Sequence, residues 1–250
     1  MSLIPQILLS INLPSRRSVG ENAWQVRKGL RNHLLQELKN YNLIATWIVH
    51  DRHLQEAREL ARMTAASQEI SLYLETATKK DQRTALSEQL TNVTKRSRDL
   101  SLRMTTLSTD QKIDEENLNL LVRNKISMVN RHCGIQKTSG ALKSLEPSSL
   151  RFGIWETPAP LQWAKQLSNP VRELILKSTM HFKSKRPFQH IQIDVQSMLH
   201  NTRAANKVTG LLQTLSRMRE RGKIDVTPIR SAAKVLRQLH FSQLTKIPAA

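Results

Sequence analysis

Short apolar runs alternating with helical patterns constrain this chain more than any other feature. The run Gln6-Ile7-Leu8-Leu9-Ser10-Ile11-Asn12-Leu13 lies between Pro5 and Pro14 and reads as a buried strand. From about 18 to 40 the apolar residues Trp24, Val26, Leu30, Leu34, Leu35 and Leu38 recur at helical spacing, and Tyr41-Asn42 closes that helix. Residues 43–49 are rich in β-branched and apolar side chains, the signature of a strand covered on both faces. A helical pattern over 50–66 and a strand over 69–74 follow. The alternation continues through a polar helix over 79–100 striped by Leu86, Leu90 and Val93, a strand over 102–107, a helix opened by Asp114-Glu115-Glu116, and a strand over 126–129. Five strand–helix repeats in order predict a parallel sheet with crossover helices.

The remaining half continues the pattern less regularly. Residues 134–149 read as a surface loop, and 150–155 as a strand or part of an extended loop. Pro170 opens a helix over 171–181, and a strand over 190–195 follows. A helix over 203–221 stops at Gly222. A strand over 224–227 and a helix over 229–239 complete the chain. At 250 residues, one α/β barrel domain spanning 1–250 is expected.

In order and spacing the first three strands resemble those of the polysaccharide deacetylase (NodB-homology) family, where the segments usually read LSIDxE, ATxFV and HEIGxH. Further matches follow in the family's order: Ile113 to Leu118 running on to Ile126, Arg151 to Pro158, Phe188 to Asp194, and Leu211 to Val226 with Arg219-Glu220-Arg221-Gly222-Lys223-Ile224. The resemblance implies a distorted (β/α) barrel of about seven strands. It also implies hydrolysis of an N-acetyl group by an Asp base, an Asp-His-His metal set and a late His acid. A metal of this kind lowers the pKa of its bound water and polarises the carbonyl, while the base and acid move protons.

Carried over one position at a time, that machinery is missing here. Asn12 stands where the base would be, and an amide does not titrate. Leu13, or Pro14 in the alternative alignment, takes the adjacent acidic place. Gln68 and Tyr73 occupy histidine positions of the third motif, Ala77 occupies the second metal-ligand histidine position, and Asp194 stands in place of the late His. The resemblance therefore implies a deacetylase-like scaffold without its cofactor, a pseudoenzyme.

A rearranged site has one sequence candidate, His50-Asp51-Arg52-His53. His50 and His53 at i, i+3 would share a helical face, at the end of a barrel strand where such folds place chemistry. With a divalent metal such as zinc they would support an active carbon–nitrogen hydrolase. The competing reading has Asp51 capping a helix and both histidines as rim residues. Arg16 and Arg17 follow the first strand and suit an anionic group by their forked donors, or simply begin a solvated helix. Trp155 is a candidate sugar-stacking platform in its loop segment, whereas Trp47 reads as core.

The chain carries 39 Lys and Arg against 20 Asp and Glu, a formal charge of +19. Residues 201–250 contribute ten basic and two acidic side chains. Such a surface attracts polyanions within a Debye length of roughly 10 Å, so nucleic acid is a partner suggested by charge alone. No recognition motif or zinc-finger spacing accompanies it. An anionic glycan or a protein partner fits the barrel reading. Cys133, beside His132, is the one cysteine and reads as a small buried thiol, which suits a reducing compartment. With no signal-peptide pattern and no membrane-length apolar run, a cytoplasmic location is expected.

Overall fold

Strand β1 (Gln6–Asn12) stands in the middle of a ten-stranded sheet whose order runs β6-β7-β5-β4-β3-β2-β1-β9-β8, with β10 also on β1. The structure is a computed structural model describing residues 4–13, 21–64, 68–75, 82–109, 112–131, 147–157, 161–162, 188–199 and 201–244. In chain order β1 is followed by α1 (Glu21–Asn40), β2 (Thr46–His50), a 3₁₀ turn (Asp51–His53), α2 (Leu54–Met63), β3 (Glu69–Tyr73), α3 (Gln82–Asp99) and β4 (Thr106–Ser108). Next come a 3₁₀ turn (Glu115–Asn117), α4 (Leu118–Arg123), β5 (Met128–Asn130), β6 (Ser148–Ser149), a turn (Arg151–Gly153), β7 (Trp155–Glu156) and β8 (Leu161–Gln162). The described chain ends with β9 (Phe188–Asp194), α5 (Val195–Leu199), α6 (Thr202–Glu220), β10 (Asp225–Thr227) and α7 (Ile229–Leu244).

Every described pairing is parallel except β6 with β7. Strand β9 follows one edge of β1 from Gln6↔Phe188 to Asn12↔Asp194. The other edge is shared: β10 takes Gln6 to Leu8 and β2 takes Ser10 to Asn12. Leu8 of β1, Met128 of β5, Trp155 of β7 and Phe188 of β9 meet in one buried cluster with Ile229, Ala232, Ala233 and Leu236 of α7. Strands so far apart in sheet order meet only if the sheet curls. The result is a curled half-barrel wrapped by helices, the (β/α)-barrel class expected, with α7 filling its lower interior.

Side-chain alternation along each strand separates two environments. Ile7, Leu9 and Ile11 of β1, Trp47 and Val49 of β2, Leu72 of β3, and Ile191 and Ile193 of β9 share one core with helix residues including Leu34, Leu60, Leu90 and Leu212. Trp47 is core, as expected. Each such leucine or isoleucine contributes about 1.5–3 kcal/mol on burial.

Four helices end in the same way. Asn42, Ser101, Lys125 and Gly222 have φ of 50°, 58°, 60° and 64°, and each sits one residue past its helix cap. After α6, Gly222 N–H donates to the Arg219 carbonyl and Lys223 N–H to that of Met218. The paired bonds recur at Asn42 and Leu43, Ser101 and Leu102, and Lys125 and Ile126, the Schellman arrangement. This explains two shifted boundaries. Leu102 and Ile126, expected to begin strands, are used in closing α3 and α4, so β4 and β5 start later. The helix expected over 171–181 lies outside the described residues. Val195, expected in the late strand, begins α5, and α7 runs five residues past the expected end at Leu239.

Candidate functional site

The sheet face opposite the helix-packed core carries Ser10 and Asn12 on β1, Thr46 and His50 on β2, Glu69, Ser71 and Tyr73 on β3, and Thr106 and Ser108 on β4. On the far side it carries Asn130 on β5 and His190, Gln192 and Asp194 on β9. Side-chain contacts between neighbouring strands on this face agree with the assignment. Ser10 Oγ lies 2.8 Å from His190 Nε2, and Ser71 Oγ lies 2.7 Å from Ser108 Oγ. Thr157 Oγ1 donates to Asn130 Oδ1 at 3.2 Å. All six are buried, so the middle of the barrel is lined by hydrogen-bonded polar groups.

Below this layer lies a buried carboxylate. Glu69 Oε1 accepts from Thr106 Oγ1 at 2.5 Å, and Oε2 accepts from Thr46 Oγ1 at 2.7 Å and from the Arg230 N–H at 2.9 Å. Thr46 Oγ1 in turn accepts the Ile229 N–H at 2.8 Å. These groups satisfy two of the orphan donors at the start of α7. Burial drives the Glu69 carboxyl above its ordinary value, against the opposing pull of its hydrogen bonds and of the Arg230 charge.

The upper rim, at the C-terminal strand ends, holds the sequence-derived positions Asn12, Tyr73 and Asp194. Asn12 and Asp194 are register partners. The Asp194 carboxylate accepts from Ser197 Oγ at 2.8 Å and from the Gln196 N–H at 3.3 Å, which ties it to the first turn of α5. The Tyr73 ring packs edge-on against His50, centroids 5.5 Å apart. His50 Nδ1 lies 2.6 Å from Asp51 Oδ1, and its Nε2 lies 3.6 Å from Glu75 Oε2.

His50 and His53 do not share a helical face. His50 is the last residue of β2, and its ring caps the 3₁₀ turn by accepting the Arg52 N–H at 3.3 Å. The cap expected of Asp51 is therefore supplied by His50, because the strand continues one residue further than the helical pattern suggested. The His53 ring lies between Trp24 and His50, with ring centroids 5.5 and 6.0 Å away. It borders a cleft of about 420 Å³ between α1, α2 and the end of α3 that His50 and Asp51 do not line. Burial lowers the His53 pKa from 6.5, reinforced by Arg27 and opposed by Glu56.

Two further expectations are corrected. Gln68 precedes β3, whose strand rise of about 3.3 Å per residue puts it at the opposite end from Tyr73. Its amide bridges the Leu43 carbonyl and the Ala45 N–H at 3.0 and 2.7 Å, so it belongs to the barrel floor. Trp155 is a strand residue, 9% exposed and packed in the lower core with Met128 and Phe188. Its ring faces are occupied by that packing and offer no sugar platform. Arg16, Arg17, Ala77, Pro14, His132 and Cys133 lie outside the described residues.

The residues present do not fit the metal that the resemblance implies. Asn12 offers an amide, Tyr73 a phenol packed on His50, and Asp194 a carboxylate committed to α5. Among the described residues no group of three His, Cys, Asp or Glu side chains is arranged to hold an ion. Sequence reading missed the interior polar layer, although Phe188-Gln189-His190-Ile191-Gln192-Ile193-Asp194 alternates polar and apolar residues and carries that signal. It also missed Arg27. This guanidinium is fully buried, holds Glu56 at 2.6 and 2.7 Å, and lies 4.2 Å from the Trp24 ring centroid.

No protein-family model matches the chain, and no curated protein matches it in sequence. Solved structures do match. A protein of Mycobacterium smegmatis assigned as a polysaccharide deacetylase superposes with a TM-score of 0.67 at 12% identity, covering 96% of this chain and 92% of its own. PuuE allantoinase superposes at 0.65 and 9% identity, covering 93% and 90%. A CE4 family pseudoenzyme from Bacillus anthracis, BA3943, gives 0.54 at 12%, covering 93% of this chain and 66% of its own. At these identities the likeness is one of fold, and that fold is the (β/α)-barrel of the polysaccharide deacetylases.

Proposed function

We propose that this protein is a non-catalytic member of the deacetylase barrel group, acting as a module that binds a carbohydrate or anionic ligand or regulates a protein partner. One observation carries the reading. On a deacetylase-like barrel, the strand-end residues Asn12, Tyr73 and Asp194 supply neither a free base nor a metal-ligand set. Without an activated water or a proton acceptor beside it, hydrolysis of an N-acetyl group has no route through this rim. The likeness to a pseudoenzyme of the same fold supports the reading. The single cysteine supports a cytoplasmic location, and no described helix is long and apolar enough to cross a membrane.

The test incubates the full chain with zinc, cobalt or nickel and with N-acetylated oligosaccharides. The expected result is no stoichiometric metal retained after dialysis and no acetate released, alongside saturable binding of at least one member of a glycan panel. Metal retention together with turnover would overturn it.

One observation favours a competing reading, an active hydrolase with a rearranged site. At the strand end His50 Nδ1 accepts the Arg52 N–H and its Nε2 lies 3.6 Å from Glu75 Oε2, an imidazole with one nitrogen facing a carboxylate. That reading predicts metal-supported turnover abolished by His50→Ala.

A further inference from the structure

We infer that the end of the barrel opposite the rim binds a diphosphate ester. A cleft of about 380 Å³ opens there. Arg58 and Arg62 reach it from α2, Arg103 from the segment before β4, and Arg230 from the first turn of α7, and among the described residues no carboxylate lines it. Among the described residues Arg58, Arg62 and Arg103 form no ion pair, whereas Arg27, Arg31, Arg52, Arg131 and Arg151 each meet a carboxylate. Arg230 gives its main-chain N–H to Glu69 while its side chain stays exposed at the cleft.

Four arginines lining one concavity give it a positive charge that favours an anion. Guanidinium forks match phosphoryl oxygens in pairs. A single phosphoryl group carries about −1.5 to −2 charges near neutral pH, so two joined groups come closer to balancing four arginines than a single carboxylate or phosphate does. The cleft is not uniformly polar. Ile70 and Leu102 also line it, giving the organic part of an ester an apolar wall beside the charges. The Gln68 amide is committed to the Leu43 and Ala45 main chain, so the floor is fixed before a ligand arrives. This site lies at the other end of the strands from Asn12 and Asp194 and stands independently of the function proposed for the rim.

Calorimetric titration of the full chain at about 0.15 M salt tests the assignment, with inorganic pyrophosphate, inorganic phosphate and a short single-stranded oligonucleotide as probes. The expected result is one pyrophosphate site, about tenfold or more tighter than phosphate. Arg62→Ala/Arg103→Ala weakens it by about tenfold or more, and Arg203→Ala/Arg217→Ala, exposed on α6, leaves it unchanged. If the first pair impairs folding, Arg62→Lys/Arg103→Lys is used, which keeps charge but loses the fork, and a several-fold loss is expected. Absence of saturable pyrophosphate binding overturns the assignment. So does equal loss in both alanine pairs, and so does oligonucleotide binding that is tighter than pyrophosphate and equally sensitive to both, since these mark diffuse surface charge.

Discussion

The carboxylate of Glu69 accepts the main-chain N–H of Arg230 at 2.9 Å, so the first residue of β3 fixes the start of α7. Thr46 and Thr106, from the strands on either side of β3, donate to the same carboxylate. Removing it strands three donors in a dry interior, at about 1–3 kcal/mol for a buried unsatisfied group. Glu69→Ala is expected to lower stability by about 3 kcal/mol at pH 5, measured by urea unfolding. Glu69→Gln keeps an oxygen for Thr46 and Arg230 and turns an amide toward the Thr106 hydroxyl, so its cost is about 1 kcal/mol or less.

The same carboxyl sets a pH dependence. Burial raises its folded pKa above the ordinary 4.5, so the fold favours the protonated form. The stability this contributes is complete below about 4.5 and is lost as pH rises through the folded value. Wild type should therefore lose stability relative to Glu69→Gln between pH 4.5 and 8. A difference that stays flat or grows in favour of wild type across that window would refute the burial argument.

Arg27 and Glu56 form a bidentate pair at 2.6 and 2.7 Å with Arg27 fully buried. Breaking such a pair from one side costs about 3–5 kcal/mol, because a buried charge is left alone, whereas replacing both sides with packed apolar groups is far cheaper. Glu56→Ala should show the large loss, and Arg27→Met/Glu56→Leu should recover most of it. Chemical unfolding of wild type, Arg27→Met, Glu56→Leu and the double variant forms a double-mutant cycle, and additive losses would show that the pair is not coupled.

His53 should titrate below 6.5, because burial disfavours its charged form. Its neutral state contributes stability above 6.5 that is lost as pH falls through the folded value. Glu56 opposes the shift, so Glu56→Gln should move the midpoint lower still. Imidazole proton chemical shifts followed by NMR read both values.

Lys125 has φ of 60°, where a side chain other than glycine costs about 1–2 kcal/mol. Lys125→Gly should raise stability by about 0.5–1 kcal/mol after allowing for the looser unfolded chain. A lower thermal midpoint in this variant would mean that the Lys125 side chain contributes a compensating contact.

The strand and helix succession was legible because each element has a strong local signature. Gly222 and Tyr41-Asn42 announced helix ends in the sequence. Ser101 and Lys125 perform the same turn without a recognisable residue, so β4 and β5 were placed too early. Asn12, Tyr73 and Asp194, singled out through the resemblance, stand together at the C-terminal strand ends. Gln68 does not join them, and a motif read as a string conceals that its two ends lie at opposite faces of a barrel. Trp155 was misread because two-residue β7 is too short to show alternation, and its burial comes from Phe188 and α7, far away in sequence. The pairing of Arg27 with Glu56 likewise joins two helices, and local pattern carries no trace of it.

Strand β1 has a consequence for how the molecule comes into being. It precedes β9 and β10, which cover one edge and half of the other, by about 180 residues or more. Ser10 and His190, which touch between the paired strands β1 and β9, are 180 positions apart. Contacts this remote slow folding, and until β9 and β10 are made an apolar strand waits with part of its hydrogen-bonding edges open. A nascent chain truncated before Phe188 therefore keeps β2 as the one partner of β1 and leaves the β9 edge and the Gln6 to Leu8 stretch open.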